Sequence, residues 1–248
     1  MKLLLIALPL AACLFAAAGA IADPRLDEKV YTPFVQNGVA EFELRTAGQL
    51  GGPQDGDATM VLEAEYGLND RVSLAAVAGL ERSPGEGTRL TSIGLEAVAY
   101  VGQIPGVGID TGAYFEYGHG LNGEPDVLEG KLLFAKTAGR FQGLVNLIVE
   151  RPLGPAHEAF ASYGYAASAT WRTVGAIRVG AEAFGDLGDD HDFPGPQGAY
   201  VGPQVLWEGR ISHTVDLGID AGWLFPVGAV TAETHSQPRI GIELERRF

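Results

Sequence analysis

The sequence predicts an all-β chain: a transmembrane antiparallel up-and-down β-barrel of about twelve strands. Three observations predict it. Apolar and polar residues alternate with period two in twelve segments, which marks strands with one apolar face. The links between those segments are alternately short and long, the asymmetry of membrane-spanning barrels. Aromatics fall at segment ends (Tyr66, Tyr100, Tyr117, Trp171, Trp207 and Trp223), where they suit interfacial girdles.

Residues 1–22 read MKLLLIALPLAACLFAAAGAIA. Lys2 precedes an apolar run, and Ala20-Ile21-Ala22 places small residues before Asp23, the layout of a cleaved secretory signal. The run ends in small residues and meets Asp23 and Pro24, so it is expected to be removed and not to span the membrane. Leu10-Ala11-Ala12-Cys13 also fits a lipoprotein box, which would lipidate Cys13; if the signal is cut at Ala22, the only cysteine leaves with it. Residues 23–38 follow as an N-terminal periplasmic segment or a plug, and residues 39–248 are read as the barrel.

The strands follow in order. In 39–47, Ala40, Phe42, Leu44 and Thr46 oppose Glu41, Glu43 and Arg45. In 59–67, Met60, Leu62, Ala64 and Tyr66 oppose Val61, Glu63 and Glu65. Residues 72–80 come next, then 91–100, where Ile93, Leu95, Ala97 and Ala99 oppose Ser92, Gly94 and Glu96. In 109–118, Ile109, Ala113, Phe115 and Tyr117 oppose Asp110, Gly112, Tyr114 and Glu116. Further strands fall near 127–137, 140–150, 160–172, 174–184, 198–208, 213–224 and 239–248, with apolar residues on both faces of the first two. Short links at 67–71, 102–108, 137–140, 172–176 and 208–213 are expected on the periplasmic side. Longer ones at 48–57, 81–89, 118–126, 151–159, 185–198 and 225–239 are expected outside. A soluble sandwich or lipocalin-like barrel alternates in the same way, with its apolar face turned inward.

The chain carries 35 glycines in 248 residues, about twice the usual share, which disfavours helices. A net charge of −14 argues against nucleic acid as a partner, since phosphate neutralisation needs clustered Lys and Arg. The last strand places Ile240, Ile242, Leu244 and Phe248 on one face, with Arg246 as an exception that could snorkel to headgroups. This terminal aromatic after an alternating strand resembles the C-terminal signature of bacterial outer-membrane β-barrels, porin-like proteins of Gram-negative bacteria. The resemblance implies location in the outer membrane, Phe248 as an assembly signal, and lipid and the barrel-insertion machinery as partners. Tyr31, Pro33, Val35, Gly38 and Glu41 also resemble the opening of an uncharacterised group of proteobacterial barrels, which implies no activity.

With the apolar face toward lipid, the lumen is expected to receive Glu41, Glu43, Glu63, Glu65, Glu96, Asp110, Glu116, Glu129, Glu182, Asp216, Asp220, Glu243 and Glu245. Arg45, Lys131, Arg178 and Arg247 stand against them, with Arg140 and Arg172 as further candidates. Acids outnumber bases about two to one, so a water-filled pore would concentrate cations. The same carboxylates also fit a merely solvated polar interior. Inward glycines (Gly94, Gly112, Gly164, Gly180, Gly202, Gly218 and Gly241) are expected to leave space, and twelve strands lie between a packed eight-stranded barrel and an open sixteen-stranded one. The expectation is a narrow pore or transporter for small solutes with an acidic, cation-leaning lumen. The alternative is a non-conducting structural or adhesive surface barrel acting through its external loops.

No cofactor and no metal are assigned. Asp186, Asp189, Asp190, His191 and Asp192 cluster in one loop, yet lack the order of an EF-hand. His119, His157, His191 and His235 are scattered one to a loop. Some barrels of this kind are enzymes with Ser and His near the outer interface. The pairs His157 with Ser162 and His235 with Ser236 lack an orienting third residue, and no GxSxG, HExxH or phosphate loop is present. The chain is therefore expected not to be an enzyme.

Overall fold

The computed structural model describes residues 24–154, 160–195 and 198–248. The expected signal, with Cys13, and His157 lie outside the described residues. Twelve strands are present: β1 (Val39–Gly48), β2 (Ala58–Gly67), β3 (Val72–Arg82), β4 (Arg89–Ile104), β5 (Ile109–Gly120), β6 (Asp126–Ala138), β7 (Phe141–Leu153), β8 (Ser162–Arg172), β9 (Ile177–Asp189), β10 (Gly198–Arg210), β11 (Val215–Gly228) and β12 (Gln237–Arg247). A one-turn helix α1 (Pro24–Asp27) precedes them, and a 3-10 turn (Ala229–Ala232) links β11 to β12.

Every strand pairs antiparallel with its chain neighbours, and β1 pairs with β12, so the sheet closes on itself. Closure leaves no edge strand and satisfies the backbone within the wall, the condition for crossing a bilayer in β structure. The alternation is inside out relative to a water-soluble barrel. Phe42, Leu95, Phe115 and Leu132 are 54–67% exposed on the outer face, while Glu63, Glu96, Lys131 and Asn146 are at most 5% exposed within. Only a hydrocarbon surround makes that arrangement favourable, so the chain is a transmembrane barrel and the soluble alternative falls.

The aromatic ends fall on two rims. Tyr66, Trp171 and Trp207 lie exposed near the short-turn end, and Tyr117 and Trp223 near the long-loop end. Tyr100 departs from the expected girdle. A register shift between Tyr100 and Gly102, with Gly102 at φ +151°, puts its ring 6.2 Å from Phe34, and its hydroxyl donates to Asp110 Oδ1 at 2.9 Å. Phe248 lies exposed on the outward side with Ile240, Ile242 and Leu244; Arg246 places its guanidinium 4.9 Å from the Phe248 ring centroid.

Several strands outrun the sequence pattern. Ladder pairing carries β9 through Asp189, opposite Ser162, and carries β11 through Gly228, opposite Gly198. Beyond the apolar belt water accepts side chains of either kind, so alternation fades while the backbone still gains by pairing. The expected loop at 185–198 therefore shrinks, and the turn expected at 102–108 tightens to 105–108.

Two inward glycines serve close strand approach and not open space. A Cβ at Gly180 would lie 2.0 Å from the Ala169 carbonyl oxygen, and one at Gly202 2.0 Å from that of Trp223. Gly180→Val is expected to prevent closure and abolish the heat-modifiable folded band in electrophoresis. Gly87→Ala, in a loop where a Cβ meets nothing within 4 Å, should leave that band intact.

Candidate functional site in the barrel lumen

Strand register turns single acidic residues into a file. Asp216 lies opposite Glu245, Glu245 opposite Glu41, and Glu41 opposite Glu65. The file passes through Ala75 to Glu96, then to Glu116, Glu129 and Glu150. Across nine successive strands, Ala75 alone is not acidic. A second, shorter row sets Glu243, Glu43 and Glu63 side by side. Asp216 is near the short-turn start of β11, whereas Glu150 is near the long-loop end of β7. Strand tilt therefore makes the file climb diagonally from one mouth toward the other.

Like charges directly opposed across strands are destabilising, so the cations beside the file matter. Arg45 Nη1 donates to Glu63 Oε2 at 2.7 Å and to Glu43 Oε2 at 3.3 Å. Lys131, nearly fully buried, pairs with Glu129 at 2.9 Å. Arg178 is buried near Thr170, whose Oγ1 it approaches at 3.4 Å. At the short-turn rim, Arg210 Nε and Arg247 Nη2 each reach Asp216 at 3.1 Å. Glu41, Glu243 and Glu245 form no ion pair among the described residues, and their carboxylate oxygens lie within 4.8 Å of one another. Glu182 of β9 and Asp220 of β11 lie off the file, against Gly222 and Gly241.

The N-terminal residues enter this space. After α1 the chain runs down the lumen to Gly38, whose N–H donates to the Gly67 carbonyl at 2.9 Å. Lys29 Nζ donates to Glu43 Oε2 and, at 3.1 and 3.3 Å, to both oxygens of Glu63. Lys131 Nζ donates to Glu28, and Arg239 to the Glu28 carbonyl. Tyr31 is clamped by a single amide: its N–H donates to Asn146 Oδ1 at 2.7 Å, and Asn146 Nδ2 donates to its carbonyl at 3.0 Å. The Tyr31 hydroxyl donates to Glu96 at 3.2 Å, beside Tyr114, which donates to Glu116 at 2.7 Å. Gly112 makes room for the segment, since a Cβ there would lie 2.8 Å from that of Pro33.

Magnitudes rank these contacts. Leu26, Tyr31 and Pro33 are buried, and full burial of a large apolar side chain is worth about 1.5–3 kcal/mol. The ion pairs are themselves largely buried, with the Glu63 and Lys131 side chains 1% and 3% exposed, and removing one partner of a buried pair costs about 3–5 kcal/mol. Apolar burial, the Asn146 clamp and the ion pairs therefore all hold the segment, and the ion pairs also set where it sits.

The segment fills one side of the lumen. On the other side, a cavity of about 800 Å³ is walled by residues such as Ser168, Glu182, Gln204, Asp220 and Glu243. Toward the long-loop end, Phe184, Tyr200, Leu224 and Val230 form an apolar cluster that narrows the interior, with Val30 and Ile148 against it.

Of the other candidates, Asp189, Asp190 and His191 each bring one ligand-type atom within 4.8 Å of the others. Asp189 Oδ1 accepts from the N–H groups of His191 and Asp192 at 2.7 and 2.9 Å. His119, at the end of β5, pairs with Asp126 at the start of β6, apart from His191, which pairs with its neighbour Asp190. His235 lies against Gly51, and Ser236 belongs to a backbone bridge with Leu50. The sequence reading overlooked Glu150, at the end of a strand apolar on both faces, and gave no role to Lys29 or Asn146. Lys29 and Tyr31 sit in a short stretch without periodicity, and Asn146 meets Tyr31 only through the folded lumen.

Removing the clamp should loosen the segment without harming the wall. Asn146→Ala leaves the buried Tyr31 amide and carbonyl unpaired, at about 1–3 kcal/mol. Hydrogen exchange at the Tyr31 N–H is expected to accelerate by the corresponding factor while the ladder amides of β7 and β8 stay protected.

No family profile matches the chain, and no curated protein sequence matches it. Solved structures do. The chain is similar to an outer-membrane channel from Pseudomonas putida F1, at 13% identity over 86% of this chain and 97% of that one, with a TM-score of 0.56. It is similar to the KdgM porin, at 11% identity over 84% of this chain and 99% of that one, with a TM-score of 0.51. A KdgM porin in complex with disordered oligogalacturonate gives 12% identity and a TM-score of 0.50, over 84% and 99% of the two chains. At these identities the likeness is one of fold: the chain has the architecture of an outer-membrane porin barrel.

Proposed function

We propose that the protein is a narrow passage through the bacterial outer membrane for small cationic or neutral solutes. The observation that carries this reading is the diagonal file of carboxylates from Asp216 to Glu150, of which Asp216, Glu245, Glu41 and Glu65 line a cavity bounded by low-dielectric walls. Such a surface concentrates cations and repels anions. The oligogalacturonate bound by the KdgM porin is polyanionic, and a similar ligand here would face a wall of its own charge. The porin-like architecture supports passage, and on this reading the protein carries no reaction of its own. The outward row Ile240, Ile242, Leu244 and Phe248 is the surface we assign to the insertion machinery.

The alternative, a non-conducting barrel acting through its loops, draws on the filling of the lumen by residues 24–36 and the apolar cluster above them. Conductance separates the two. In planar bilayers with asymmetric KCl, the protein is expected to give small ohmic steps with a reversal potential shifted toward cations. Glu41→Gln with Glu245→Gln should lower the cation-to-anion permeability ratio about threefold. A folded, heat-modifiable barrel that stays silent even without residues 24–36 would assign the function to the loops.

A further inference from the structure

We propose that residues 24–36 are an autoinhibitory strap latched at Lys29, and that a primary alkylammonium entering the lumen releases it by taking the place of Lys29. This rests on the reading of the barrel as a cation passage.

The chain carries its own ammonium inside an acceptor site built by the wall. Glu43 and Glu63 belong to β1 and β2, with side chains 8% and 1% exposed. They receive Lys29 Nζ through three oxygens, and the Tyr31 ring centroid lies 4.5 Å from the same nitrogen. The acceptors are fixed in the barrel, whereas the cation rides on a segment outside the ladder. A free alkylammonium presents the same three N–H donors and the same apolar stem. It would approach along the carboxylate file, which leads directly to Glu43 through Glu41. Arg45 stays behind and contacts both carboxylates, so the vacated pair retains one uncompensated negative charge for the incoming cation.

The rest of the strap fits an element that seats and unseats. Its second ion pair has the opposite polarity, Glu28 of the strap on Lys131 of the wall, so the strap docks in one direction only. Gly38, at φ +72°, joins it to β1 and provides a hinge. The cavity beside it leaves space into which it can swing.

The test compares the purified wild type with three variants in planar bilayers, using n-butylammonium chloride as the probe. Lys29→Ala is expected to raise the open fraction severalfold without the probe and to be insensitive to it. Wild type should open further as n-butylammonium is added, while equal NaCl has a much smaller effect. Asn146→Ala, which removes the wall's clamp on Tyr31, should also raise the open fraction without the probe while keeping the response to it. A variant lacking residues 24–36 should be open throughout. Equal open fractions of wild type, Lys29→Ala and Asn146→Ala would overturn the strap and leave the passage standing, provided the deletion variant conducts. A folded but silent deletion variant would overturn the passage reading and the strap with it. Opening by Lys29→Ala but no response of wild type to n-butylammonium would overturn the assignment of the releasing ligand.

Discussion

The constraint on which the rest of this structure depends is the opposition of like charges in register. A closed sheet that faces hydrocarbon outside must place its polar residues inside, and here those residues are mostly glutamates on neighbouring strands. Each opposed pair disfavours its own ladder. The barrel tolerates them because twelve strands leave room for water and for counter-charges, which an eight-stranded barrel packed with side chains would lack. Arg45 and Lys131 supply part of that compensation from the wall, and Lys29 brings a further part from outside the sheet.

The lumen is consequently divided lengthwise. Along β2, β4, β5 and β7 the N-terminal segment satisfies Glu63, Glu96 and Asn146 and buries Tyr31 among Val98, Tyr114 and Leu133. Along β8–β12 the wall stays open to the cavity, and Glu243 and Glu245 remain without ion pairs among the described residues. The two halves thus differ in chemistry, the segment presenting Val30, Tyr31 and Phe34 to the cavity and the wall presenting carboxylates.

Strand number, the inward carboxylates and the alternating turns were legible in the sequence because period two is a local signal. Glu41, Glu63 and Glu243 could be placed on the inner face by their neighbours alone. Their order along the file could not, since it is fixed by hydrogen-bond register between strands distant in sequence. Glu150 escaped notice because Leu147, Ile148 and Val149 precede it without alternation. The segment was harder still. Its docking depends on Asn146, more than a hundred residues away, and on the absence of a side chain at Gly112. Tyr31 and Pro33 stood out as motif residues, and the structure gives the physical reason: both are buried against the wall.

The carboxylate file also bears on how faithfully the barrel assembles. A strand that paired one residue out of step would exchange its two faces. For β12 that slip would carry Glu243, Glu245, Arg239 and Arg247 into the lipid and draw Ile240, Ile242 and Leu244 into water. A charge on the lipid face costs from about 0–1 kcal/mol near the interfaces, where Arg239 and Arg247 would fall, to roughly 2–4 kcal/mol for a basic residue at the midplane, with acidic ones somewhat less. Uncharged polar residues would enforce the correct step far more weakly. The charges that burden the finished lumen therefore act as a proofreading device while the sheet is being closed, since the misaligned product is the one the membrane rejects.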